Sequence, residues 1–179
     1  MRHNKRFRNK QAGLTLIELM IAMGIGIALV AVVIGVAASV RADNKASQLQ
    51  TQILQISSQA QSLSNGTSTT GITTAALINS GKIPASWIQA GESGTSTIRS
   101  PYGFPIEIAG GSGADSNEIV ISTTHVPNSA CTTVSTNTRA TFKRIEVGSA
   151  TLNSQSNPGD VTTACAGDES SETSISFVV

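Results

Sequence analysis

Gly13-Leu14-Thr15-Leu16-Ile17-Glu18-Leu19 opens an apolar run that continues to Val40. The run covers 27 residues, 14 to 40, which as a helix reaches roughly 40 Å, enough to cross a bilayer. Five cations precede it, Arg2, Lys5, Arg6, Arg8 and Lys10, and such an excess holds that end in the cytoplasm. Residues beyond about Val40 are then expected outside the inner membrane. A removable secretory signal would have an apolar core of about 7–15 residues and an A-x-A-like cleavage site, so this run is a retained anchor. Glu18 lies inside it. A carboxylate in hydrocarbon costs about 2.5–3.5 kcal/mol on insertion scales, so it needs a partner or a function. The alternative is an interfacial acid at the end of an ordinary anchor.

Outside the anchor there is room for one domain in a chain of 179 residues. Aromatic content is only 3%, so the core must be small and built from Ala, Ile and Val. The five cations before Gly13 leave 7 of the 12 Lys and Arg against 11 Asp and Glu, which makes the remainder about −4. That balance gives no indication of nucleic-acid binding.

Within the run, Ala22-x-x-x-Gly26 and Ala31-x-x-x-Gly35-x-x-x-Ser39 set small residues on helix stripes, where another helix can approach closely; abundant Gly and Ala in membrane helices is the bland alternative. Gly24 and Gly26 are poor helix formers, each about 1 kcal/mol weaker than Ala. Local unwinding between Gly24 and Gly35 is expected when the helix leaves lipid. Arg41, Asp43, Asn44 and Lys45 mark the membrane–water boundary. Beyond them Leu49, Ile53, Ile56, Ala60 and Leu63 recur at spacings of 4, 3, 4 and 3, one stripe for a domain to cover. The helix should end near Ser64, before Asn65-Gly66. Residues 14–63 would form one helix of about 75 Å.

Downstream, short helices are expected over Thr73–Asn79, closed by Gly81, and over Pro84–Ile88, with Trp87 against the long helix. Ser100–Pro105 reads as a turn into a strand at Ile106–Ala109. Gly110–Gly113 connects it to a strand at Glu118–Thr124, and Ala140–Val147 and Ser174–Val179 are two further strands. Ser129–Ser135 and Val161–Ala166 read as helices capped by Asn128 and Asp160. The expectation is an α+β fold class: a long N-terminal α-helix packed against a small antiparallel β-sheet with short helices.

Gly13, Leu14 and Glu18, within basic-then-apolar flanks, closely resemble the class III signal of type IV pilins. Ala76-Leu77-Ile78-Asn79 with Lys82-Ile83-Pro84, Ser100-Pro101-Tyr102-Gly103, Ala130-Cys131 and Ala164-Cys165 are similar to type IVb major pilins of the bundle-forming and toxin-coregulated kind. The resemblance implies a pilin fold and four regions: a leader at 1–13, removed; a transmembrane or filament-core helix at 14–40; its amphipathic continuation at 41–63; and a head at 64–179. It implies cleavage between Gly13 and Leu14 by prepilin peptidase, N-methylation of Leu14, and pairing of Glu18 with the Leu14 amine of a neighbouring copy. The implied partners are further copies in a helical filament, inner-membrane pilus assembly machinery and an outer-membrane secretin. The location would be the inner membrane, then the cell surface. Adhesion, aggregation and mating are among the family's roles. Rivals sharing the signal are a type II secretion pseudopilin and a minor pilin; a membrane-tethered binding module that never polymerises is the rival from another class.

Cys131 and Cys165 are the only cysteines and lie on the expected outer side, where an even count favours a disulfide enclosing residues 132 to 164. Two buried thiols are the alternative. No cofactor, metal or enzymatic activity is expected, because the spacing is not C-x-x-C and His125 is the sole histidine after the leader, placed at a strand end. Asp115 with Glu118, and Asp168 with Glu169 and Glu172, lack an EF-hand pattern and read as solvated loops. Asn65-Gly66-Thr67 matches a glycosylation sequon, which has little meaning in a bacterium.

Overall fold

The computed structural model describes residues 15–64, 68–90, 95–111, 117–166 and 172–179. The chain divides into two compact units, one ending at Val40 and one spanning Arg41–Val179. Helix α1 (Leu16–Ser64) is 49 residues long and enters both. Up to Val40 it is continuous through Gly24 and Gly26, and its large side chains are exposed, from Leu16 at 77% to Val40 at 50%. This is the one helix among the described residues long and apolar enough to cross a membrane.

In the unit from Arg41, α1 buries Leu49, Ile53, Ile56 and Ala60 completely. Ala46 extends this stripe one turn earlier, whereas Leu63, at 36% exposure, falls off its end. The stripe shares one core with a seven-stranded sheet. Its strands are β1 (Ile88–Ala90), β2 (Ser96–Arg99), β3 (Pro105–Gly110), β4 (Ile119–Pro127), β5 (Arg144–Val147), β6 (Ala150–Leu152) and β7 (Glu172–Val178). They lie in the order β1-β2-β3-β4-β7-β5-β6, all neighbours antiparallel. The terminal strand β7 thus enters between β4 and β5. Alternation sends Ile106, Ile108, Ile119, Ile121, Ile145, Ile175 and Phe177 inward, and Phe142 leans on Phe177 with centroids 5.1 Å apart. β-Branched side chains suit a pleated, covered surface, so isoleucine substitutes for the missing aromatics.

Helix α2 (Thr74–Asn79) starts at Thr73, whose hydroxyl accepts from the Ala76 N–H at 3.2 Å. Gly81 follows at φ +69°, a left-handed conformation that glycine adopts freely. Gly110 has a different reason: a β-carbon there would overlap the Thr69 carbonyl, and its N–H donates to the Ile72 carbonyl at 2.7 Å. Trp87 packs against the core that contains α1.

Several expectations need correction. Residues 85–87 form a single 3-10 turn, and Ile88 belongs to a strand. The strand expected from Ala140 begins at Arg144, because Thr141 and Phe142 donate back to the Thr138 carbonyl and close a turn. Strands β1, β2 and β6 were not foreseen. Helix α3 (Asn128–Thr138) is capped by Pro127, and Asn128 is already helical, its Oδ1 accepting from Thr173 at 3.4 Å. Helix α4 (Pro158–Cys165) is capped by Asn157, while Asp160 reaches back to the Asn157 N–H at 2.9 Å as the acid of a capping box. Positions 112–113 of the expected connection and the sequon at 65–67 lie outside the described residues.

Candidate assembly site

Gly13 and Leu14 lie outside the described residues. Thr15 precedes α1, and its carbonyl accepts from Glu18 N–H at 3.0 Å and Leu19 N–H at 3.1 Å. Its hydroxyl also faces the Glu18 N–H, at 3.4 Å. Thr15-x-x-Glu18 therefore has capping-box spacing, a local signal that the sequence reading passed over. Glu18 is exposed in the first turn, where the helix's partial positive end favours a carboxylate. Ala22, Ala31 and Ser39 are exposed on the same helix. Added β-carbons at Gly24 and Gly26 would meet nothing, and Gly35 lies within α1.

The second group of residues singled out by sequence lies in the unit from Arg41. Cys131 of α3 and Cys165 of α4 are disulfide-bonded, with S–S 1.98 Å and Cα–Cα 5.7 Å. Both are fully buried, beside Val134 and Val161. The bond fastens α4 to α3, which itself packs on β4 and β7.

Glu118 does not behave as a solvated loop acid. Its side chain is 8% exposed and bonds to Lys143 and, at 2.8 Å, to Arg144. Arg144 also holds Glu146 at 2.9 Å. The Lys143 hydrogen bond, reinforced by Arg144, holds the Glu118 carboxyl below its ordinary range despite the opposing effect of burial. Asp115, Asp168 and Glu169 lie outside the described residues. Glu172 begins β7, 4.0 Å from His125. His125 occupies a bulge within β4, between the Thr123 and Val126 pairings, at φ +56°, and stacks on Phe104 at 4.1 Å. Among the described residues no three His, Cys, Asp or Glu side chains converge as metal ligands.

A model described as the prokaryotic N-terminal methylation motif matches residues 8–38, and the family model described as PilS N terminal matches residues 43–179. The crystal structure of the type IVb pilin from Salmonella typhi is similar with a TM-score of 0.60 and 19% identity, covering 73% of this chain and 97% of that one. The crystal structure of TcpA, a type IV pilin from Vibrio cholerae El Tor biotype, gives 0.54 and 14%, over 76% and 99%. No curated protein matches the chain. The fold is that of type IVb pilins, and with the methylation motif at its head it defines a structural subunit of a type IV pilus. By the match over residues 43–179, the chain belongs to the PilS family.

Proposed function

We propose that the chain is made as a membrane-anchored prepilin, cut by prepilin peptidase between Gly13 and Leu14, methylated on Leu14 and polymerised into a surface filament. The observation that carries this is the methylation motif over residues 8–38, which brackets Gly13, Leu14 and Glu18 and leads into a helix with an uncovered apolar surface. Residues 1–13 are the leader and 14–40 the span and later filament core. Residues 41–63 are the helix that carries the head, and 64–179 the head itself. The anchor sits in the inner membrane, and filaments leave through assembly machinery and a secretin to act in adhesion, aggregation or mating. The role is structural rather than enzymatic, as the family and fold of structural pilins support.

Glu18 then has a task. Once the leader is gone, the Leu14 nitrogen becomes a free amine, and pairing it with Glu18 of the next copy relieves the cost of a carboxylate in an apolar core. A misplaced subunit leaves both charges unpaired, so the pair selects register. Ala22, Gly26, Ala31, Gly35 and Ser39 let neighbouring helices come close. The Glu18→Ala variant should be cleaved like the parent but yield few filaments in sheared surface material. Normal filament yield from that variant would refute the pairing.

A further inference from the structure

From Arg41 onward the chain carries seven Lys and Arg against ten Asp and Glu. Four of those cations have partners of their own. Lys143 and Arg144 hold Glu118, and Arg144 also holds Glu146. Lys82 donates to the Ser62 hydroxyl at 2.9 Å, and Arg139 donates to the Ser156 carbonyl. The other three, Arg41, Lys45 and Arg99, are exposed and form no ion pair among the described residues. Arg41 and Lys45 sit one turn apart on the same face of α1, where like charges repel unless an anion joins them. Asp43, the one acid in that turn, forms no ion pair with either.

Two of the three are tied to one aromatic side chain. Lys45 Nζ lies over the Tyr102 ring, 5.6 Å from its centroid. Tyr102 belongs to the Ser100–Phe104 turn, closed by the Ser100 N–H donating to the Phe104 carbonyl at 2.9 Å, and Arg99 immediately precedes that turn in β2. The Tyr102 hydroxyl is covered, so the ring positions Lys45 rather than reaching outward itself. Trp87 lines a groove with Asn44 and Ser47 on the adjoining face of α1. The sole Tyr and the sole Trp of the chain thus adjoin residues 44–47, and these two residue types favour membrane–water interfaces.

Position indicates the anion. With the span ending at Val40, Arg41 and Lys45 follow after about 1.5 and 7.5 Å of helix rise, within or beside a headgroup layer about 5–7 Å thick. Cations on this outer flank oppose the orientation that the leader's five set, so topology does not account for them. We propose that Arg41, Lys45 and Arg99, with Lys45 held by Tyr102, dock the head on the phosphate groups of anionic phospholipids at the outer surface of the inner membrane. The inference rests on the membrane-anchored reading and goes beyond it, giving the head its own lipid contact. That contact must break before the subunit can leave the bilayer.

The test uses the full-length chain reconstituted in vesicles of equal parts phosphatidylcholine and phosphatidylglycerol, with a nitroxide on some of the headgroups. Trp87, the only tryptophan, should be quenched there at low salt. The quench should weaken in phosphatidylcholine alone, and at salt high enough to shorten the screening length to about 3 Å. Each cation near an anionic surface is worth about fivefold in the docked-to-undocked ratio. Arg41→Gln/Lys45→Gln/Arg99→Gln should therefore lower that ratio about a hundredfold and abolish the quench. The charge-keeping Arg41→Lys/Lys45→Arg/Arg99→Lys variant should retain it, which separates lost charge from lost packing. A parent chain that fails to float with the vesicles would sink the membrane-anchored reading itself. A parent that floats unquenched, or whose quench ignores phosphatidylglycerol or survives the triple Gln change, would overturn the docking alone. So would a quench that inorganic phosphate relieves more than chloride does at equal ionic strength, since that marks a free-anion site.

Discussion

Removing the disulfide is the sharpest test of how the head is held together. The bond joins residues 34 apart, and closing a loop of that size removes unfolded-state entropy worth about 3.8 kcal/mol at 25 °C. The unit it stabilises, Arg41–Val179, has 139 residues. At about 2.1 cal/mol/K per residue, its unfolding entropy is about 0.29 kcal/mol/K, so the loss should lower the melting temperature by about 13 °C. A Cys131→Ala/Cys165→Ala double variant is the perturbation, since both sulfurs are fully buried and resist reductant. Lost packing at the two sites can only deepen the effect. Unfolding should be followed by Trp87 fluorescence in detergent, because the apolar half of α1 remains helical there and would mask a change in far-ultraviolet dichroism. Hydrogen exchange should show α4 freed first, as Val161 and Cys165 are its only buried described residues. A shift under about 4 °C would contradict loop closure as the source of the stability.

Three further outcomes follow from the packing. Ile53→Ala, at a fully buried point of the α1 stripe, should destabilise the head by about 2–5 kcal/mol in denaturant titration. Gly110→Val should be at least as damaging as overpacking elsewhere, about 1–3 kcal/mol, because its β-carbon meets the Thr69 backbone, which cannot turn aside; parental stability would contradict the close approach. Because the Glu118 carboxyl titrates below its ordinary value of 4.5, its contribution is present above that pH and is lost as pH falls through the lower, folded value. Glu118→Gln should therefore flatten the acid side of the stability profile and leave its alkaline side unchanged, as thermal melts across pH would show.

Periodicity made the helix legible. Leu49, Ile53, Ile56 and Ala60 repeat over several turns, and Asn65-Gly66 ends the pattern, so its end at Ser64 could be placed in advance. β3, β4 and β7 alternate over six to nine residues and could also be found. β1, β2 and β6 span three or four residues, too short to alternate, and are held as strands by antiparallel pairing with β2, β3 and β5, their neighbours along the chain. The caps at Pro127 and Asn157 were missed by one and three residues, because a side chain able to cap sits at Asn128 and again at Asp160. The Glu118 cluster was hidden for a topological reason. Lys143 and Arg144 reach it only because β7 enters between β4 and β5. In the candidate assembly site, Glu18 stood out because an acid in an apolar run is costly.

Everything proposed for Glu18 depends on an amine that exists only after cleavage. Mass spectrometry of subunits sheared from the cell surface measures that directly. The account predicts a chain beginning at Leu14, bearing one methyl group on its amino terminus and lacking two hydrogens for the Cys131–Cys165 bond. Surface subunits that retain Met1–Gly13 would contradict it.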